Sequence, residues 1–280
     1  ILGPGEHVLK NRDGSAQLER LRLNQQVFVS AYEQAVLDKL PEDVARHLTI
    51  VRTGETEIAV IERDGILNTV LAPDDKLVLW TDTGPWQASL IDTATDARVD
   101  PRLLKRLRKA GRMQLVSLVE VDEGKTALVS LDGQYAERLG PGAYGYWNAG
   151  RKVGARLVDL TRQSLDVTGQ EVLTRDRVSL RINLAAEYRV VNPELAVSSV
   201  KDFSDALYRA LQYAFRKTLG AMTLDQILEN KVTVDAEAAA KVRSDMAAIG
   251  IEVSEIALKD VILPGDMREI LNQVVAARKE

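Results

Sequence analysis

Cysteine is absent from the 280 residues, and histidine occurs twice, as His7 and His47. The first absence excludes disulfides, thiolate nucleophiles and Cys-based zinc sites. Two isolated imidazoles exclude a His-rich metal site and leave little for His-based acid–base chemistry. Aromatic residues make up only 5% of the chain, so any core must be mostly aliphatic. Apolar runs reach about four residues, as at 58–61 and 274–277, against the roughly 18 that a membrane span needs. A secretory leader pattern is also missing. Lys and Arg number 37 against 41 Asp and Glu, a balance that argues against nucleic acid as a partner. What is present is an ordinary soluble composition, 45% apolar and 28% charged. The chain opens on Ile1 and closes on the helix-forming run Arg278-Lys279-Glu280, which reads as a fragment cut at both ends.

Three segments read alike. Leu2-Gly3-Pro4-Gly5 recurs as Leu71-Ala72-Pro73-Asp74 and as Leu139-Gly140-Pro141-Gly142, with prolines 69 and then 68 residues apart. Such regular spacing marks duplicated modules. The run from Ile58 to Asp64-Gly65 matches Thr126 to Asp132-Gly133 at an offset of 68, and Leu90-Ile91-Asp92 matches Leu157-Val158-Asp159. Asp-Gly between short apolar runs predicts a hairpin, because its turn needs residues that tolerate positive φ. Each module then reads as strand, Asp-Gly turn, strand, Pro turn, strand. Helical tails are predicted over 31–48, with Pro41 breaking it, and over 101–110, where Pro101 suits a helix's first turn. The first copy lacks its opening strand, as if the chain started inside it.

Beyond the third module the period changes. Val178, Leu180, Ile182 and Leu184 alternate with polar residues, a half-buried strand that 171–173 should pair with across a turn at 174–177. Phe203, Leu207, Leu211 and Phe215 predict a helix, with Gly220 as its terminator. A short turn at 224–228, an Ala-rich helix over 234–249 stopped by Gly250, and a strand over 251–263 follow. Pro264-Gly265-Asp266 then opens a last helix, with Asp266 and Glu269 in a relation close to a capping box.

Leu165-Asp166-Val167, the run from Gln170 to Asp176, Tyr188-Arg189-Val190, Ala196-Val197, Leu219-Gly220, Gly250-Ile251 and the run from Lys259 to Pro264 appear in a recognisable order. In these motifs the chain, over about 114–280, resembles the band 7 (SPFH) domain of the stomatin/prohibitin superfamily, its slipin branch above all. The resemblance implies an α+β fold: a curved β subdomain, an α/β subdomain and the start of a long helix. It also implies a homo-oligomer forming large assemblies at membranes, scaffolds for lipid, channels or proteases, and in prokaryotes a membrane serine protease partner of the NfeD type. It implies no active site and no cofactor. The repeats at 1–113 and the lack of a hydrophobic segment before the domain depart from the family pattern. The division expected is a truncated first β module with helical tail (1–48), a second β module with a short basic helix (49–113), a third module with the SPFH β subdomain (114–190), the α/β subdomain (191–264) and the start of an oligomerisation helix (265–280).

Several motifs invite chemistry. Gly140-Pro141-Gly142-Ala143-Tyr144-Gly145 fits G-x-G-x-x-G, but a dinucleotide site needs that motif to open a helix, and the residues after it are β-like. Arg102, Lys105, Arg106, Arg108, Lys109 and Arg112 line a segment without an acid, with Leu103, Leu104 and Leu107 on one side. Such a helix is a solvated connector, a contact for an anionic membrane or, against the acidic balance of the chain, a contact for nucleic acid. Tyr144, Tyr146, Trp147 and Trp80 either pack on a sheet or meet a membrane interface, and Trp147 joins the basic residues as a membrane-contact candidate. Arg175-Asp176 reads as a turn or an interface ion pair. Glu252, Glu255, Lys259 and Asp260 read as a polar face without a nucleophile or metal set beside them. Met267, Ile270, Leu271, Val274 and Val275 form a terminal apolar stripe that either packs on its own domain or is the oligomerisation candidate, because an exposed stripe of this kind asks for a partner helix. The reading is a non-enzymatic scaffold, peripheral to a membrane on its cytoplasmic side, with a regulatory module for a membrane protease or chaperone as the alternative.

Overall fold

The computed structural model describes residues 19–229, 231–265 and 269, without the side chains of 231–235. The fold is α+β and forms two compact units. One takes residues 1–120, 130–134 and 143–154; the other takes 121–129, 135–142 and 155–280.

In the first unit, helices α1 (Glu33–Lys39) and α2 (Pro41–His47) occupy the predicted tail on either side of the break at Pro41. Leu48, placed by the pattern at the helix end, instead opens strand β1 (Leu48–Arg52), because its side chain belongs to a cluster with Phe28, Val78 and Trp80. Strands β2 (Glu57–Arg63) and β3 (Ile66–Leu71) form the first hairpin, and β4 (Lys76–Trp80) and β5 (Trp86–Asp92) follow. β1 pairs with β4, and β3, β2 and β5 form a three-stranded sheet in that order. The hairpin turn puts Asp64 at φ 52 and Gly65 at φ 72, the left-handed pair a two-residue turn requires.

Helix α3 (Pro101–Ala110) matches its predicted limits. Asp100 caps it by accepting from the Arg102 and Leu103 amides, Pro101 needs no donor there, and Gly111 ends it in the left-handed region at φ 65. Its apolar stripe, Leu104 and Leu107, is buried with Ile58, Val60, Leu67, Val70, Val99, Val116 and Trp147. A cap and a C-terminal glycine set the helix ends, and burial of this stripe sets its orientation.

Strands β6 (Val116–Val121), β7 (Lys125–Leu131), β8 (Gln134–Leu139), β9 (Gly142–Trp147) and β10 (Val153–Asp159) repeat the order of β1–β5: β6 pairs with β9, and β10, β7 and β8 form a sheet. β2 and β7 share one burial pattern along all seven residues. The second hairpin turn has Asp132 at φ 52 and Gly133 at φ 82. The loops after β5 and β10 are locked alike. The Asp92 carboxylate accepts from the Ala94 amide and the Thr95 hydroxyl, and that of Asp159 accepts from the Thr161 amide and hydroxyl.

In the second unit, β11 (Gln163–Leu173), β12 (Ser179–Val190) and β13 (Ile251–Ile262) form an antiparallel sheet with β12 at its centre. The expected pairing across 174–177 brings Leu173 opposite Ser179. The helices are α4 (Pro193–Ser199), α5 (Phe203–Gly220), α6 (Leu224–Glu229) and α7 (Lys231–Ala247). Leu207, Leu211 and Phe215 of α5 and Val242 and Met246 of α7 pack on Leu180, Ile182, Leu184 and Tyr188 of β12. β12 alternates accordingly, its even-numbered side chains buried from Leu180 to Val190. Gly220 is not a left-handed terminator: it lies in the last turn of α5, and the chain leaves through Ala221 at φ −85. There a Cβ would stand 3.5 Å from the Leu173 carbonyl oxygen, ordinary contact. Gly250, at φ 79, is the left-handed stop expected after α7.

Candidate interaction surfaces

The turn between β11 and β12 shows how this sheet is held. The Thr174 hydroxyl donates to the Asp176 carboxylate, the Leu224 amide reaches the same group at 3.2 Å, and the Arg175 amide donates to the Met222 carbonyl at 2.8 Å. The hydroxyl, first, and the backbone donors hold the Asp176 pKa below the ordinary carboxylate range. Asp176 is thus a lock between a β turn and the start of α6. Because its folded pKa is lowered, its stabilisation is present above the unfolded value of about 3.9 and is lost as pH falls through the folded value. Asp176→Asn is therefore expected to lower the melting temperature at neutral pH and to narrow its gap to the native protein below about pH 4, as thermal unfolding monitored across pH would show.

The side of this sheet away from the helices is polar. Arg181 pairs with Glu171 at 3.1 Å, Arg189 with Glu252 at 3.1 Å, and Lys259 with Asp166 at 3.1 Å, and the Asn183 amide donates to Asp260 at 3.1 Å. Glu187 stands opposite Glu255 across β12 and β13. Exposed pairs of this kind contribute about 0–1 kcal/mol each. Their significance is a face carrying both signs of charge. Glu252, Lys259 and Asp260 all lie in this ladder.

Inside the same unit one polar side chain is buried at a bulge. Gln170, 7% exposed, donates to the Tyr208 hydroxyl at 2.9 Å and accepts from Gln212 at 2.6 Å, while the preceding Gly169 takes φ 65. The register of β11 on β12 slips between Val167 and Gln170, so the network fixes that slip.

On α3 the buried stripe forces the basic residues outward: Arg102, Lys105, Arg106, Arg108 and Lys109 are all exposed, as is Arg112 just beyond its end. Arg106 pairs with Glu62 and also donates to the Gly65 carbonyl; Arg108 pairs with Glu120; the Arg112 guanidinium donates to the Asn68 carbonyl at 2.7 Å. Arg102, Lys105 and Lys109 make no ion pair among the described residues. A recess of about 500 Å³ opens at the end of α3, lined by Ile66, Asn68, Arg106, Lys109 and Arg112. Ile66 is 73% exposed. Reading α3 alone misses Ile66; aligning the two hairpins, with Gln134 at the equivalent place, could have found it.

Trp147 does not belong on this surface. It is 2% exposed, in the core with Leu104 and Leu107, so a membrane-contact role is corrected to a packing one. Tyr146 and Trp80 are buried too, at 1% and 5%, and the Arg98 guanidinium lies 4.8 Å over the Tyr144 ring. The G-x-G-x-x-G run ends inside strand β9 and opens no helix. Its Gly145 serves packing: a Cβ there would stand 2.7 Å from a Leu104 methyl and 3.1 Å from Val116. His47 is half-buried in the last turn of α2. His7, Asp266 and the stripe of Met267, Ile270, Leu271, Val274 and Val275 lie outside the described residues.

Among the described residues no group of three or more His, Asp or Glu side chains could hold a metal ion. Turn hydrogen bonds lower Asp92 and Asp159, as they do Asp176. The Asp122 carboxylate raises Lys125, and burial raises Tyr135 and Tyr188. Each moves away from neutrality, opposite to what a general acid or base requires.

Residues 119–280 match the model of the SPFH domain / Band 7 family. The chain belongs to this family. A stomatin homologue of Pyrococcus horikoshii is 31% identical over 160 residues, 57% of this chain and 59% of that protein. An uncharacterised Archaeoglobus fulgidus protein is 32% identical over 146 residues, 47% of this chain and 59% of its own length. Mouse stomatin is 30% identical over 123 residues, 44% of this chain and 43% of stomatin. The chain thus spans about three-fifths or less of these relatives. The matched region begins within β6, so the first hairpin and α3 lie before it. No helix among the described residues is long and apolar enough to cross a membrane.

Proposed function

We propose that this Band 7 protein is a non-enzymatic scaffold that homo-oligomerises at a membrane surface, on the cytoplasmic side, and organises lipid or partner proteins there. The observation that carries this reading is the division of the β11–β12–β13 sheet: α5 and α7 cover one face, and the other is an open ladder of paired charges. Such a face offers complementary charges to a second copy. The five-part division of the chain stands within it, with 1–113 as modules added to the family domain and 265–280 as the start of the assembly helix. No cofactor and no nucleic-acid partner enters it.

Assembly through that helix is testable directly. Leu271→Glu combined with Val275→Glu places charge on the apolar stripe. Light scattering should show the particle mass falling to that of a small species, while the melting transition of the domain is kept. Unchanged mass with an intact fold would remove the stripe from the assembly. The alternative, a regulatory module for a membrane protease of the NfeD type or a chaperone, rests on the family resemblance, and a fixed-ratio complex with such a partner would favour it.

A further inference from the structure

The two hairpins of the repeated strand order provide an internal comparison. Both turn through an Asp-Gly pair of near-identical φ, and the residue after the glycine is Ile66 in the first and Gln134 in the second. A polar residue at this tip is what solvent favours, and the second hairpin has one. The first instead projects an isoleucine that is 73% exposed. Beside it the chain builds a helix whose outer face is basic. Arg102, Lys105, Arg106 and Lys109 follow each other at spacings of three, one and three residues, so they form one stripe along α3.

We propose that this face of the first unit, Ile66 with the basic stripe of α3, docks on an anionic lipid surface; the proposal rests on the membrane-surface reading above and names the contact. Charge complementarity selects the occupant. Glu62 and Glu120 each engage one cation, of Arg106 and Arg108, and the exposed Asp64 sits in the turn itself. Arg102, Lys105, Lys109 and Arg112 have no carboxylate partner among the described residues. An excess of cations around one protruding aliphatic side chain fits a surface that is negative outside and apolar beneath. A soluble polyanion would use the cations and leave Ile66 in water. Arg106 and Arg112 are tied to the Gly65 and Asn68 carbonyls of the hairpin, so helix and tip are held together as one face.

The test is sedimentation of the chain with vesicles rich in phosphatidylglycerol and with vesicles of phosphatidylcholine alone. The native chain should pellet with the first and not the second, and release as salt is raised, because screening shortens the reach of exposed charges. Lys105→Gln and Lys109→Gln should each weaken partitioning about fivefold, the equivalent of about 1 kcal/mol per cation near an anionic surface. Ile66→Ser should weaken it further at constant charge, and Gln134→Ser should change nothing. All four positions are exposed, so an unchanged melting transition confirms the fold. Equal binding to both vesicles, or undiminished binding by the variants, would overturn this face while leaving a membrane role standing. Loss on lysine substitution with Ile66→Ser indistinguishable from native would overturn insertion into lipid in favour of a polyanion site. Binding to neither vesicle would overturn the proposal and the membrane role, with assembly still judged by particle mass.

Discussion

Trp147→Ala is expected to destabilise the first unit by about 3–5 kcal/mol, the cost of emptying a large aromatic site in a packed core. The ring is 2% exposed and shares its cluster with eight other buried side chains, among them Leu104 and Leu107 of α3 and Ile58 and Val60 of β2. These come from a helix and strands far apart in sequence, so no single neighbour can move to refill the space. The deletion would also loosen the seat of α3 against the sheet, since Leu104 and Leu107 lose a wall. Chemical denaturation of native and variant chains measures the effect. A loss under about 1 kcal/mol would mean that the ring is not core, and would reopen an exposed role for it.

Gly250→Val is expected to be of similar size in the second unit. Gly250 takes φ 79, where a β-branched residue costs about 1–2 kcal/mol through the contact of its Cβ with the following carbonyl. Space adds to this. A Cβ at Gly250 would stand 2.5 Å from the Asn192 carbonyl oxygen and 3.0 Å from the Asn192 Cβ. That oxygen is backbone and cannot rotate away. The Val191 and Asn192 amides both donate to the Gly250 carbonyl, at 2.9 and 3.0 Å, so a shift on either side breaks the junction between the end of β12, α4 and the start of β13. With overpacking of about 1–3 kcal/mol added, the total is about 2–5 kcal/mol. Thermal unfolding of Gly250→Ala and Gly250→Val should show both destabilised, valine more. A native-like melting temperature for valine would contradict the close approach.

The parts of the fold that local chemistry dictates were readable from sequence. Asp64-Gly65 and Asp132-Gly133 announce hairpins because few other pairs adopt positive φ twice. Asp100, Pro101 and Gly111 mark both ends of α3 because capping and the left-handed stop are local demands. The β12 strand shows itself by strict alternation. What depends on register or on distant neighbours was not readable. Trp147 sits in an aromatic run that suits an interface as well as a core, and only the arrival of α3 over Gly145 decides for the core. Gly220 resembles a left-handed terminator, yet it is the last helical residue of α5 and the chain leaves through Ala221. The charge ladder of Arg181, Arg189 and Lys259 requires the pairing of three strands, and no spacing along one strand reveals it. Of the interaction surfaces, the basic stripe was legible and its companion Ile66 was not, since a single exposed isoleucine is unremarkable until the second hairpin shows glutamine in its place.

The central claim, a scaffold built from many copies at a membrane surface, is tested most directly by particle mass. Light scattering of the chain, alone and with vesicles rich in phosphatidylglycerol, should give a particle of many subunits. A monomer or dimer in both conditions would contradict the scaffold and leave the regulatory module as the better account.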